Sequence, residues 1–243
     1  MNQEAVPMMA VLAVDTSTPY ATAAICAGGR IEAEIVADSS RLHAERLLAM
    51  LQGLLEHAGR RLGEVNLLAV TRGPGSFTGL RVGVATMKGL AFATGLPLVG
   101  VPTLDALSRC ALVQGQVCCM LDARMGEVFG AAYLWDGGSR RRIIDEAVAP
   151  VGHFLERLCG PVCFIGDGAS LYREEIGRAL PEARFLPQPL NLPRGGAVAE
   201  EALALVAAGA SSDAAQVEPV YLRKSQAEQA RDARLHAAEA AER

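Results

Sequence analysis

The chain has 243 residues, 51% of them hydrophobic. That is enough for one large domain, or two of roughly 100–120 residues with buried cores, and it excludes a disordered chain. Net charge is −4 and aromatic content is 5%. Both argue against a self-sufficient RNA-binding module, which needs basic excess and stacking rings.

The opening "MNQEAVPMMAVLAVDTS" has no basic leader region, and its apolar run stops at Asp15, so no signal peptide is expected. No apolar run approaches the ~18 residues a membrane helix needs, and the protein is read as cytoplasmic. The six cysteines read as reduced thiols. "CGPVC", Cys159 to Cys163, has one residue too many for a redox pair and runs into an apolar strand.

Residues 9–37 predict three short strands, "MAVLAVDTS", "YATAAICA" and "RIEAEIVA", joined by tight turns as an antiparallel meander. The helix "RLHAERLLAMLQGLLEHAG" follows, then the strand "NLLAVTR", a glycine loop, a helix from about Ser76 to Thr94 and the strand "GLPLVGVP". The second half runs in the same order. "GQVCCMLDARMGEVFGAAYLWDGGSRRRIIDEAVAP" gives three strands, "GHFLERLCG" a short helix, and "PVCFIGDGASLYREEIGRAL" a strand, glycine loop and helix. "LAVDTSTPYATAAI" aligns with "CMLDARMGEVFGAA", placing Asp15 and Asp122 at equivalent strand ends. An internal duplication of about 100 residues follows from this order. It divides the chain into lobes 1–107 and 108–224, with "VAEEALALVAAG" as a further helix and an alanine-rich tail at 225–243, frayed or disordered.

The loop "GPGSFTG" resembles a phosphate cradle, but a Walker loop carries lysine after its last glycine, and here Gly79 is followed by Leu80. Ser76 is the natural N-cap, and the backbone there still offers an anion nest. In the helix, Gly79 and Gly83 are four apart, as are Ala85, Gly89 and Ala93. Each interior glycine costs roughly 1 kcal/mol against alanine, so close approach of another element is expected along this ridge. The preceding helix carries an apolar arc, with Leu47, Leu51, Leu54 and Leu55 within it, wider than one core face needs. Two readings stand: a helix sandwiched in its own domain, or a strip presented to a partner. The second is adopted, with Leu80, Val84 and Met87 completing the strip and Gly79 and Gly83 allowing close packing.

"GPGSFTGLRVG", with "LAVDTS" and "LDARMGEVF", resembles the TsaB (formerly YeaZ) family of bacterial accessory proteins for N6-threonylcarbamoyladenosine formation at position 37 of tRNA. The resemblance extends over residues 9–225, including "PVYLR". It implies an α/β fold of two actin-like, RNase H-like lobes, each a mixed sheet with an antiparallel meander and flanking helices. It further implies a non-catalytic scaffold that pairs with the catalytic relative TsaD, works with the ATPase TsaE, and depends on threonylcarbamoyl-adenylate supplied by TsaC. Transfer RNA would be met only within the assembly, and the isolated chain would form homodimers. Where TsaD carries its metal-binding histidine pair this sequence has Thr103 and Leu107, so no metal is expected. By order in the fold, Asp15, Thr16, Ser17 and Asp122 would line a vestigial nucleotide cleft, and "GDGAS" (Gly166 to Ser170) a remnant adenosine-side loop. No cofactor is expected beyond weak ADP or ATP binding, because Arg124, Met125 and Glu127 replace the phosphate turn of the second lobe. The arginine run 140–142 reads as a solvated strand edge, with a tRNA contact as the alternative. A phosphotransferase or ATPase using Asp15 and Asp122 is the competing function, and a metallopeptidase a further one.

Overall fold

The computed structural model describes residues 9–38, 44–111 and 114–223; the predicted tail, together with His43 and His236, lies outside them. The first sheet comprises β1 (Ala10–Asp15), β2 (Tyr20–Ala27), β3 (Arg30–Asp38), β4 (Leu67–Gly73) and β5 (Leu98–Pro102) in the order β3-β2-β1-β4-β5. The second comprises β6 (Gly115–Arg124), β7 (Glu127–Asp136), β8 (Ser139–Pro150), β9 (Val162–Ile165) and β10 (Arg184–Phe185) in the order β10-β9-β6-β7-β8. In each, the first three strands pair antiparallel and the last two parallel. The two sheets are therefore one topology used twice, as the repeated sequence order predicts.

The central strands are apolar without interruption because both faces of each sheet are covered. Along β1, Ala10, Leu12 and Val14 face one layer and Val11 and Ala13 the other, the period-2 alternation of a pleated strand. Helices α1 (Ala44–His57) and α2 (Phe77–Thr94) cover the outer face of the first sheet. Its inner face packs against α7 (Gly195–Ala207) through Val198, Ala199 and Ala202. Helix α3 (Thr103–Arg109) is shared: Ala106 joins the inner core of the first sheet, and Leu104 and Leu107 join that of the second. The far side of the second sheet is covered by α4 (Gly152–Leu155), α5 (Asp167–Leu171) and α6 (Arg173–Ala179).

Two features depart from the sequence reading. Helix α3 was not foreseen; its N-cap Pro102 makes no side-chain capping bond, so the usual start signal is missing. Helix α7, placed by chain order in the second lobe, lies on the first sheet instead, where its small residues let it sit close: a Cβ at Gly195 would collide with the backbone of Ala23 and Ala24. Among the described residues no helix is long and apolar enough to cross a membrane.

Candidate functional site

Asp15 ends β1 fully buried. Its Oδ1 accepts hydrogen bonds from Ser17 Oγ and Thr71 Oγ1, both at 2.6 Å, while Oδ2 has no partner among the described residues. Burial pushes the carboxyl up to about 6, and the Ser17 and Thr71 bonds oppose that rise. Thr16 and Ser17 are also buried, and they are zipped to the glycine loop. Ser76 N–H donates to the Ser17 carbonyl at 2.7 Å, and Thr16 Oγ1 donates to the Gly79 carbonyl at 2.8 Å. Ser76 caps α2 as expected, its hydroxyl accepting from Gly79 N–H. The approach of Thr16 explains the first two helix glycines: a Cβ at Gly79 would strike the Thr16 carbonyl, and one at Gly83 the Thr16 hydroxyl. This ridge holds the chain's own β1–β2 turn, neither another helix nor a partner. The groups that would reach for a phosphate are bonded to each other.

Asp122, the counterpart in the second sheet, is more open. Its Oδ1 accepts from Arg124 N–H at 2.8 Å, and Arg124 pairs with Oδ2 at 3.0 Å. The following turn is tight, with Arg124 and Met125 in the left-handed region (φ 64° and 56°). Asp167, within the predicted Gly166–Ser170 stretch but not singled out there, accepts from the amides of Asp122 and Gly168 at 3.0 and 2.8 Å, and burial raises its carboxyl. It also adds to the upward push on Asp15 across the lobe junction. The stretch Gly166–Ser170, predicted as a loop, is the start of α5, and Asn191 ties it down, its Nδ2 donating to the Gly166 carbonyl at 2.8 Å and to Ser170 Oγ at 2.6 Å.

The predicted pairing strip is corrected. Leu47, Leu51, Leu54 and Leu55 on α1, and Leu80, Val84 and Met87 on α2, are all buried against the chain itself. All but Leu80 belong to the core beneath the first sheet's outer face. A wide apolar arc was read as two faces, when its centre points inward and only its edge is open. What the helices expose lies elsewhere: Leu48 on α1, 45% exposed, and Phe92 on α2, 67% exposed. Gly89 lies on the outward side of α2, and a Cβ there would meet nothing within 4 Å.

The arginine run is corrected at Arg140, which turns inward. Arg140 Nη1 donates to the Asp105 carbonyl at 2.6 Å and to Ser108 Oγ at 2.9 Å, and its Nη2 pairs with Glu201 at 2.7 Å. Arg142 pairs with Asp105 at 2.7 Å, and Tyr133 Oη donates to the same carboxylate at 2.8 Å. Arg109 pairs with Glu200 and Glu201. These side chains join α3 and α7 to the second sheet, while Arg141 and Arg142 are exposed on the edge strand β8 as a solvated edge would be. No pattern in the sequence links residues 105, 140 and 201.

Thr103 and Leu107 lie fully buried on α3, with Leu107 packed beneath Gly166. Neither supplies an anionic or nitrogen donor, and among the described residues no group of three His, Cys, Asp or Glu could hold a metal ion. His57 meets the Gly53 carbonyl at 2.8 Å, while His153 sits edge-on to Phe154. A cavity of about 580 Å³ beside α7 contains Cys26 and Cys110, but burial pushes both thiols up to about 11, and none of the predicted cleft residues lines it.

Comparison with known proteins agrees with this architecture. The family described as "TsaD: tRNA N6-adenosine threonylcarbamoyltransferase" matches residues 34–231. The TsaB protein of Escherichia coli K12 is 32% identical over 89% of this chain and 96% of its own. The chain belongs to this family, among its TsaB members. The TsaB protein of Bacillus subtilis is 27% identical over 90% of the chain and 96% of its own length. YeaZ from Pseudomonas aeruginosa superposes with a TM-score of 0.73 at 33% identity, covering 88% of this chain and all of that one. A second solved structure, described as similar to peptidase YEAZ, is from the same organism and has the same TM-score at 34% identity.

Proposed function

We propose that this TsaB-family chain is a non-catalytic scaffold and activator in forming N6-threonylcarbamoyladenosine at adenosine 37 of tRNA. It pairs with TsaD, which supplies the reactive centre, and works with TsaE on threonylcarbamoyl-adenylate supplied by TsaC. Transfer RNA is engaged only by the assembly, and the isolated chain forms homodimers. The observation that carries this reading is the state of the first lobe's junction. Ser17 and Thr71 bind Asp15 Oδ1, and the glycine loop is bonded to Thr16 and Ser17, so the hydroxyls and loop amide that an actin-like ATPase would turn toward a phosphate are engaged within the chain. Support for pairing comes from α2, a helix apolar on both sides. One side is core; the other shows Phe92 beside Ala85 and Gly89, with Leu48 of α1 on the same outer layer. An interior glycine whose Cβ position is open among the described residues suits close packing of a second helix.

The test is co-purification with TsaD of a Leu48→Glu/Phe92→Glu double variant. Loss of pairing with an unchanged melting temperature supports the outer face; pairing at wild-type strength removes it. The competing ATPase reading is tested by ATP turnover of the isolated chain. Robust turnover abolished by Asp15→Asn would establish that reading in place of the scaffold.

A further inference from the structure

After α7 the chain crosses the first lobe and ends its described course on the second. Lys88 Nζ donates to the Val217 carbonyl at 3.0 Å, and Val220 N–H donates to the Arg72 carbonyl at 2.6 Å. The Tyr221 ring lies 4.6 Å from that of Phe77, and Arg81 Nε donates to its hydroxyl at 3.1 Å. Val220 lies so close to Gly73 that a Cβ there would collide with its carbonyl. One residue later the partners change lobe. Leu222 packs on the inner core of the second sheet. Arg223 Nη1 donates to the carbonyls of Ala123 and Arg124 at 2.7 and 3.3 Å, and Nη2 pairs with Glu127 at 2.8 Å.

We propose that residues 217–223 are a strap fixing the angle between the two lobes, with Arg223 as its clasp on the second. The grip falls on a significant place. Arg124 and Met125 hold left-handed backbone that side-chain-bearing residues rarely adopt, and Arg223 binds the carbonyls leading into that turn and the carboxylate just after it. A planar guanidinium meets these acceptors from two separated nitrogens held in one plane, whereas an ammonium has a single nitrogen at the end of a shorter reach. The ion cluster of Asp105, Arg140 and Glu201 and the apolar packing of α3 tie the two sheets together at a separate place, and the strap adds a further fastening. With the clasp released, the turn relaxes and the lobes move about the α3 packing and the ion cluster.

The test is hydrogen exchange on the full chain, wild type against Arg223→Ala. Amides at 122–128 and 218–222 are expected to exchange at least tenfold faster, with those of β1 and β4 unchanged. In parallel, nitroxides on the exposed Cys159 and on Arg61→Cys should show a broadened inter-lobe distance distribution in the variant. Arg223→Lys should behave like the alanine variant, whereas Glu127→Gln, which keeps both carbonyl bonds, should give a smaller acceleration. Unchanged exchange and an unchanged distance distribution in Arg223→Ala would overturn the strap. So would full restoration by lysine, or uniform acceleration across both sheets, which would mark Arg223 as a general stability residue.

Discussion

The two sides of the α1–α2 layer are built from similar residues and do different things. On the inner side leucines fill a core, and Gly79 and Gly83 admit the Thr16 turn to van der Waals contact. On the outer side, Gly89 and Phe92 touch little of their own chain. A glycine every few residues along one helix thus has two separate causes. The difference teaches that helical spacing shows which residues share a face, but only packing shows what that face meets.

The largest effect expected from breaking this contrast is on the inner side. Leu54→Ala should cost about 3 kcal/mol in chemical denaturation, because a fully buried leucine leaves a cavity that the sheet cannot collapse into. A cost below ~0.5 kcal/mol would return Leu54 to the surface.

Asp15 comes next. Its folded value of about 6 lies above the ordinary carboxylate range, so the native state keeps that proton to higher pH than the unfolded chain does. The sign follows: the associated stability is full below about pH 4, declines as pH rises through 4 to 6, and is absent above 7. Asp15→Asn should therefore gain on the order of 2–3 kcal/mol relative to wild type between pH 4 and pH 7. Parallel stability curves for the two proteins would show that the carboxyl is not buried as described.

The glycines give the finest comparison. Gly79→Ala should destabilise by about 2 kcal/mol, since the carbonyl it meets is backbone and cannot rotate away. Gly89→Ala, ten residues along the same helix, should stabilise the isolated chain by roughly 0.5–1 kcal/mol through helix propensity alone, while weakening pairing with TsaD. Thermal denaturation of the two variants side by side decides whether the two glycines differ in this way.

Much of the fold was legible in the sequence. Strand–turn alternation and the repeated β-β-β-α-β order carry local information, and "LAVDTS" against "CMLDAR" marked the equivalent strand ends. Ser76 was legible as a cap because its hydroxyl acts within one turn. The site was less so. Asp15 was found by order, yet its closure by Thr71 depends on a partner 56 residues away. Asp105, Glu201 and Arg223 were missed, and Arg140 was noted only as part of a basic run, because each is a common charged residue whose meaning comes from a distant partner. The buried leucines were misassigned because an amphipathic pattern has the same period whether its stripe meets a sheet or a second protein.

The most direct test of the scaffold account is threonylcarbamoyl transfer to tRNA adenosine, reconstituted from TsaD, TsaE and threonylcarbamoyl-adenylate with and without this chain. Modification should require the chain, persist with Asp15→Asn, and fail with Leu48→Glu/Phe92→Glu although that variant melts normally. Modification lost with Asp15→Asn, or proceeding at full rate with the outer-face variant, would contradict the account.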